Sequence, residues 1–550
     1  MLRLLIPLIC SAIFVLVAGD EYPVVTTPLG DIKGHLTKSY QGRTVVAFEG
    51  VPYAQPPLGK LRFKEPQPLD PWSDVLLAND TYVCLQFIPM GMSGTNIGTE
   101  DCLYLYIYIP EEKFSPDGNL DVIVHIHGGA FMLGAPKFLG GYQYITDRDV
   151  IFVSFNYRLG IFGFLSTEDE IIPGNYGLKD QVMALKWIQS NIKYFGGNPN
   201  SVTLTGLSAG AASVQYHYLS PLSKGLFHRG FSQSGTALNM WALTEEPSLK
   251  ARKLGAFLNC SYESSQDLLD CLVTKGGPEI MQALKNFFEF INAVPFTPFG
   301  PVIEKGPDAF LPDHPYSLLK KGQINDYPWV CSNTKNEGIY PVGFFVLYRK
   351  LSELDEKWND IAPFALDYFH TTSDENRSDI TKEIRSQYLN NEELNLENID
   401  KLIDLFSDRA FLVDAETAVR LHAKASKSPV YYYFFEYKVG LKSFFPKEVS
   451  GVAHSDDGRL FVHILGNPLV FEESDEKMKN LFMDFIYEFA TTGIAKFDTE
   501  EWIPVNDDEM INYMQILSPD IVQMNKLRRL TSKTFWDDLP IIENGRLYNN

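Results

Sequence analysis

The apolar positions of this chain repeat with two different periods. Residues 24–36 (VVTTPLGDIKGHL) and 43–54 (RTVVAFEGVPYA) alternate apolar with polar side chains between glycines, which predicts half-buried strands. Residues 121–129 (DVIVHIHGG) and 150–158 (VIFVSFNYR) are nearly continuous apolar runs, the pattern of strands covered on both faces. Residues 178–195 (LKDQVMALKWIQSNIKYF) place apolar residues at helical spacing and predict an amphipathic helix. A third strand, 201–206 (SVTLTG), leads into small, helix-compatible residues from Ala209. Strand, helix, strand, helix predicts an α/β fold with a mostly parallel sheet wrapped by helices. Roughly residues 240–420 read as helix-rich and irregular, as insertions over the carboxyl edge of that sheet. Residues 429–438 (PVYYYFFEYK) form another strand pattern. Residues 475–493 form a helix with an acidic start and a glycine stop.

The two strands at 121–129 and 201–206 both end in glycine-rich turns, and candidate chemistry concentrates there. Gly206-Leu207-Ser208-Ala209-Gly210 follows a strand and precedes a helix. In that context Gly-x-Ser-x-Gly is a nucleophile elbow, which strains the serine and points its Oγ away from the sheet. A serine hydroxyl needs a base, and the base needs an acid to orient it. His454 lies in the small, polar stretch GVAHSDD and is the better base. His463 has apolar neighbours that favour a core role, while His370 and His422 lie in or beside helical patterns and read as surface residues. Glu337, in a loop just after the apolar run beginning PWVC, is the candidate acid. The turn at Gly128-Gly129, after the 121–126 strand, can aim backbone N–H groups at one point. With the N–H of Ala209 it would complete an oxyanion hole.

Composition narrows the setting. The chain has 550 residues, 45% of them hydrophobic and 21% charged, enough for a large core. No linker, repeat or low-complexity block divides it, so residues 20–550 are expected to form one domain. The net charge of -21 argues against nucleic acid and anionic membranes as partners. Arg3, an apolar run and Val17-Ala18-Gly19 have the order of a secretory signal peptide over residues 1–19. That run is short for a span of about 20 residues, so no stable membrane anchor is expected. The polar end ENGRLYNN fits neither a lipid-anchor signal nor an ER-retention signal. Of six cysteines, Cys10 leaves with the signal. Cys84 with Cys102, and Cys260 with Cys271, bracket local loops; local pairing is the simplest of several connectivities. Cys331 reads as a buried small apolar residue. Asn79, Asn259 and Asn376 head glycosylation sequons.

Taken together, PLGDIKG, FEGVPYAQPPLGKLRFKEP, EDCLYLYIY, HIHGGAFMLG, NYRLGIFGFLS, PGNYGLKDQVMALKWIQSNI, FGGNPNSVTLTGLSAGAASV, FSQSG, NEG and GVAHSDD resemble the secreted type-B carboxylesterases, the cholinesterase-like α/β-hydrolases. The likeness is strongest to the insect β-esterase and juvenile-hormone-esterase-like branch, and it covers nearly the whole mature chain. It implies an α/β-hydrolase fold with helical insertions over the active site. It implies Ser208 as nucleophile, His454 as general base then acid, Glu337 as orienting acid, and Gly128, Gly129 and Ala209 as oxyanion donors. It also implies the disulfides Cys84–Cys102 and Cys260–Cys271, Trp241 in the acyl pocket, and Ser234 as a buried supporting serine. Arg158 and Asp180 would form a structural ion pair.

Two departures bear on substrate. Acetylcholinesterases carry a tryptophan in the first disulfide loop, absent from CLQFIPMGMSGTNIGTEDC, whose face would hold a quaternary ammonium. They carry Glu before the serine, and juvenile hormone esterases usually carry Gln; here Leu207 stands there. The expectation is a secreted serine carboxylesterase for apolar esters, whether hormone, pheromone, dietary or xenobiotic, needing no metal or cofactor. A juvenile hormone esterase is the alternative. A non-catalytic adhesion relative or an ester-sequestering protein represents another class, although adhesion relatives characteristically lose triad residues that are all present here. Without a C-terminal heptad segment, a monomer or dimer is expected.

Overall fold

The computed structural model describes residues 23–89, 94–440, 443–464, 471–498, 500–506 and 509–548. The signal peptide expected over residues 1–19 lies outside the described residues. The frame is an eleven-stranded sheet. Its strands, in chain order, are β1 (His35–Lys38), β2 (Thr44–Pro52), β3 (Tyr104–Pro110), β4 (Leu120–Ile126), β5 (Ile151–Phe155), β6 (Gly197–Leu207), β7 (Arg229–Gln233), β8 (Trp329–Thr334), β9 (Val430–Phe435), β10 (Ile511–Ser518) and β11 (Ile521–Leu527). Their spatial order is β11-β10-β9-β8-β7-β6-β4-β5-β3-β2-β1. The strands from β5 to β10 pair in parallel, and antiparallel pairs close both flanks.

Burial explains which runs became central. All residues of β5 (IFVSF) and β8 (WVCSNT) are buried, because helices cover both faces of a parallel sheet. The edge strands β1 and β11 instead alternate or stay largely exposed. Each fully buried Val, Leu, Ile or Phe side chain contributes about 1.5–3 kcal/mol to this arrangement.

Helix α1 (Tyr176–Asn191) and helix α2 (Ala209–Leu219) flank the central strands, and every residue of α2 is buried. The chain between β8 and β9 supplies most of the irregular helical cover. It includes α3 (Ile339–Leu347) and α4 (Val413–Ala425), with a π-helical segment at Asp408–Leu412 between them. Near the C-terminus α5 (Glu473–Thr492) opens with Glu473, Asp475 and Glu476, which complement the positive end of the helix dipole. It stops at Gly493, whose φ of 75° a side-chain-bearing residue adopts only with strain. Among the described residues no helix is long and apolar enough to cross a membrane.

The core also corrects a reading made from helical pattern. His422 is fully buried, stacked on Trp329 with ring centroids 4.4 Å apart. Burial pushes its pKa down to about 3, so it is a neutral core residue. His370 is half-buried, and desolvation lowers it to about 4. The Phe-rich segment after residue 286 is also largely core: Phe287, Phe290 and Phe299 are each less than 9% exposed.

Candidate active site

The register of the parallel strands sets four carboxyl ends side by side. Ile126 pairs with Gly206, Leu207 with Gln233, and Gln233 with Ser332. Residues just beyond those pairs therefore share one edge, where ligands meet open parallel sheets. Ser208 follows β6, Gly128 follows β4, Ser234 follows β7, and Glu337 follows β8.

Ser208 has φ 59° and ψ -121°, a strained conformation for a side-chain-bearing residue. Its neighbours leave no room for other residues at the flanking glycines. A Cβ at Gly206 would lie 2.2 Å from the Gly210 carbonyl oxygen, and one at Gly210 would lie 2.0 Å from that of Ile126. The elbow is also fastened to the next strand, since Ser208 N–H donates to Gln233 O at 2.8 Å. Ala209 opens α2, so its N–H is one of the first-turn donors without an intrahelical partner.

The glycine turn lies directly against the elbow. A Cβ at Gly128 would come 3.1 Å from Ser208 Cβ, so only glycine lets that peptide approach the serine. The turn then runs through three successive positive φ values, at Gly129, Ala130 and Phe131. His127, before it, is a buried structural residue. It stacks on Tyr157 at 4.4 Å, and burial lowers its pKa to about 4.

The structure joins His454 to Glu337 across a large separation in sequence. Their Nδ1–Oε2 distance is 2.6 Å at a sequence separation of 117. The other carboxylate oxygen of Glu337 accepts from Thr334 N–H at 2.8 Å and Asn333 Nδ2 at 3.2 Å. The carboxylate is fully buried yet meets three donors, which is how a buried charge is tolerated. With Nδ1 taken, Nε2 is the ring atom left to accept a proton. Among the described residues Ser208 Oγ and the His454 ring share no hydrogen bond.

The loop carrying His454 is held from several sides. Asn336 N–H donates to Val452 O at 2.9 Å, and Val452 N–H returns to Asn336 Oδ1 at 3.1 Å. Asp457 accepts from Ser332 Oγ at 2.9 Å and Tyr433 OH at 2.7 Å. Leu207 belongs to this support. It is buried, and a Cβ at Gly458 would come 2.7 Å from Leu207 Cδ1, so its side chain packs under the histidine loop.

Two aromatic residues that sequence reasoning missed lie on the imidazole. Phe411 is 4.6 Å and Tyr340 5.2 Å from the His454 ring centroid. Phe411 comes from the π-helical segment, a feature frequent at functional sites. Trp241 is buried beside it, 6.0 Å from Phe411 and 6.5 Å from Phe131, with Nε1 donating to Ala410 O at 2.9 Å. Tyr340 follows Glu337 by one helical turn, a weak sequence signal. Phe411 had none, because its aim depends on the extra residue in the turn.

Cys84–Cys102 and Cys260–Cys271 are disulfides, and Cys331 is a buried free thiol. Arg158 and Asp180 form a buried two-pronged pair at 2.7 and 2.8 Å. Ser234 is buried, and its Oγ has no hydrogen-bond partner among the described residues. His463 is half-buried, and Asn79, Asn259 and Asn376 are exposed. Among the described residues no group of three or more His, Cys, Asp and Glu side chains is gathered to ligate a metal ion.

The decisive comparison covers nearly the whole chain: the carboxylesterase family model matches residues 21–536. The chain belongs to the carboxylesterase family. The esterase is 39% identical over 536 residues to venom carboxylesterase-6 of Apis mellifera, covering 95% of each chain. It is 34% identical over 573 residues to juvenile hormone esterase of Tribolium castaneum, again with 95% of each covered. Its structure superposes on juvenile hormone esterase from Manduca sexta, solved with OTFP covalently attached, with a TM-score of 0.82 and 28% identity. That match spans 94% of this esterase and 99% of the other chain. The fold is therefore α/β-hydrolase, and the esterase is a carboxylic ester hydrolase acting on small esters.

Proposed function

We propose that this esterase is a secreted serine carboxylesterase that cleaves apolar carboxylic esters through an acyl-enzyme. Ser208 Oγ attacks the ester carbonyl while His454 Nε2 takes its proton. Glu337 holds the imidazole in the tautomer with Nδ1–H and stabilises the imidazolium. The developing oxyanion is received by the N–H groups of Gly128, Gly129 and Ala209. His454 then protonates the leaving alcohol, and water, deprotonated by the same ring, releases the acid. The observation that carries this reading is the 2.6 Å Glu337–His454 contact on a loop seated over Leu207, beside a strained Ser208.

The surroundings support apolar substrates. Phe411 and Tyr340 lie against the imidazole, Trp241 bridges Phe411 and Phe131 of the glycine turn, and no carboxylate stands at position 207 to attract a cationic alcohol. Juvenile hormone is one member of this substrate class, and the similarity to two juvenile hormone esterases keeps it in the panel to be tested. Removal of residues 1–19 would leave 20–550 as one extracellular catalytic unit. Two disulfides and three exposed sequons are consistent with that compartment.

Replacing Ser208 with Ala tests the proposal. The variant should keep the thermal melt of the wild type and lose hydrolysis of 1-naphthyl acetate by at least about a thousandfold. Turnover near the wild-type value would refute the assignment.

A further inference from the structure

We propose that Gln86 is a positioning residue for the oxyanion donors, clamping the far end of the turn that carries them. The inference rests on the reading that Gly128 and Gly129 N–H receive the oxyanion, and it adds what holds them in place.

The turn needs holding. Ala130 and Phe131 have φ of 54° and 57°, after 112° at Gly129, and non-glycine residues persist in that region only where the surroundings over-determine them. Within the turn, Met132 and Leu133 N–H both donate to Gly129 O. Its start is fixed by Tyr157 OH on His127 O at 2.9 Å, and its middle by Gly160 N–H on Phe131 O at 2.8 Å. Its end, Gly134, lies flat on the start: a Cβ there would be 2.4 Å from His127 Nδ1 and 2.5 Å from Gly128 O. Any drift of Gly134 is thus felt at the Gly128 peptide.

Gln86 prevents that drift. Its side chain is fully buried and grips both polar groups of one residue, Nε2 donating to Gly134 O at 3.0 Å and Gly134 N–H donating to Oε1 at 2.8 Å. Nε2 also donates to Cys84 O at 2.9 Å, which locks the amide in one orientation. Gln86 itself sits inside the loop closed by Cys84–Cys102. A disulfide-anchored segment and the oxyanion turn are thereby tied together through one side chain.

The test compares Gln86→Met, similar in volume but without the three hydrogen bonds, with Gln86→Glu. Burial favours the protonated carboxyl, which can still accept from Gly134 N–H and donate to Gly134 O. Oxyanion contacts strengthen only in the transition state. Gln86→Met should therefore lower kcat for 1-naphthyl acetate by about 10- to 100-fold per folded molecule, with KM within about twofold. Affinity for a trifluoromethyl ketone, whose Ser208 adduct carries the oxyanion, should fall in parallel. Gln86→Glu should recover most of both. The inference is overturned if Gln86→Met melts like the wild type and keeps both kcat and ketone affinity, or if only the folded fraction drops. Ser208→Ala in the same assay separates the two readings: activity retained there sinks the nucleophile assignment, whereas a dead Ser208→Ala beside an unaffected Gln86→Met sinks only the clamp.

Discussion

Glu337→Gln gives a severe test of the proposed mechanism, because the structure dictates which way the new amide must point. Oε1 of Glu337 accepts from two donors, Thr334 N–H and Asn333 Nδ2. The carbonyl oxygen of glutamine must take that place, since an NH2 group there would oppose both donors inside a fully buried site. The NH2 group is then left at the Oε2 position, 2.6 Å from His454 Nδ1. It can only donate, so Nδ1 must accept, and the ring proton moves to Nε2. An imidazole protonated on Nε2 cannot take the Ser208 proton. The corresponding exchange of acid for amide in serine proteases lowers kcat about ten-thousandfold. The same order here corresponds to about 5.5 kcal/mol of barrier. Stability should change little, because size is conserved and a buried charge is removed. Stopped-flow hydrolysis of 1-naphthyl acetate should show the acylation phase slowed by at least a thousandfold, with an unchanged melting curve. A kcat within about tenfold of the wild type would refute the tautomer argument and the role given to Glu337.

Two further perturbations probe the fold around the site. Gly210→Ala places a Cβ 2.0 Å from the Ile126 carbonyl oxygen, so α2 must move away from β4. Overpacking of this kind costs about 1–3 kcal/mol. The displaced Ala209 N–H should reduce kcat by about 100-fold, measured together with the shift in Tm; an unchanged kcat would show that Ala209 contributes nothing. Asp408 opens the π-helical segment, where burial raises its carboxyl to about 6 from the usual 3.8, although Tyr388 OH donates to it at 2.7 Å. A raised folded pKa means the folded state holds the proton more tightly. This group's stabilising contribution is complete below about pH 3.8 and is lost as pH rises through 6, at most about 3 kcal/mol. Asp408→Asn should flatten the Tm difference between pH 5 and pH 7.5, and an identical pH profile would contradict the shift.

Much of the site was legible in the chain because its backbone demands particular residues. Close approach and positive φ require the glycines at 128, 129, 206 and 210, so two glycine turns after apolar strands marked the candidate nucleophile and the proposed donors. Continuous apolar runs marked the central strands, since both faces of a parallel sheet are covered. Pairing over long distances was not legible in that way. Glu337 and His454 lie on different loops, brought together by the β8–β9 neighbour relation, the Asn336–Val452 bonds and the bonds from Ser332 and Tyr433 to Asp457. Helical spacing placed His422 on the surface, although α4 buries it against Trp329, because periodicity reveals a face and not what covers it. Phe411 depends on a π turn with no sequence signature. Leu207 illustrates the division best. By itself the sequence determined that no carboxylate stands beside Ser208, since that is a matter of composition at one position. The tertiary structure decided that the leucine instead supports the histidine loop through Gly458, because packing is settled by what approaches a side chain from elsewhere in the chain.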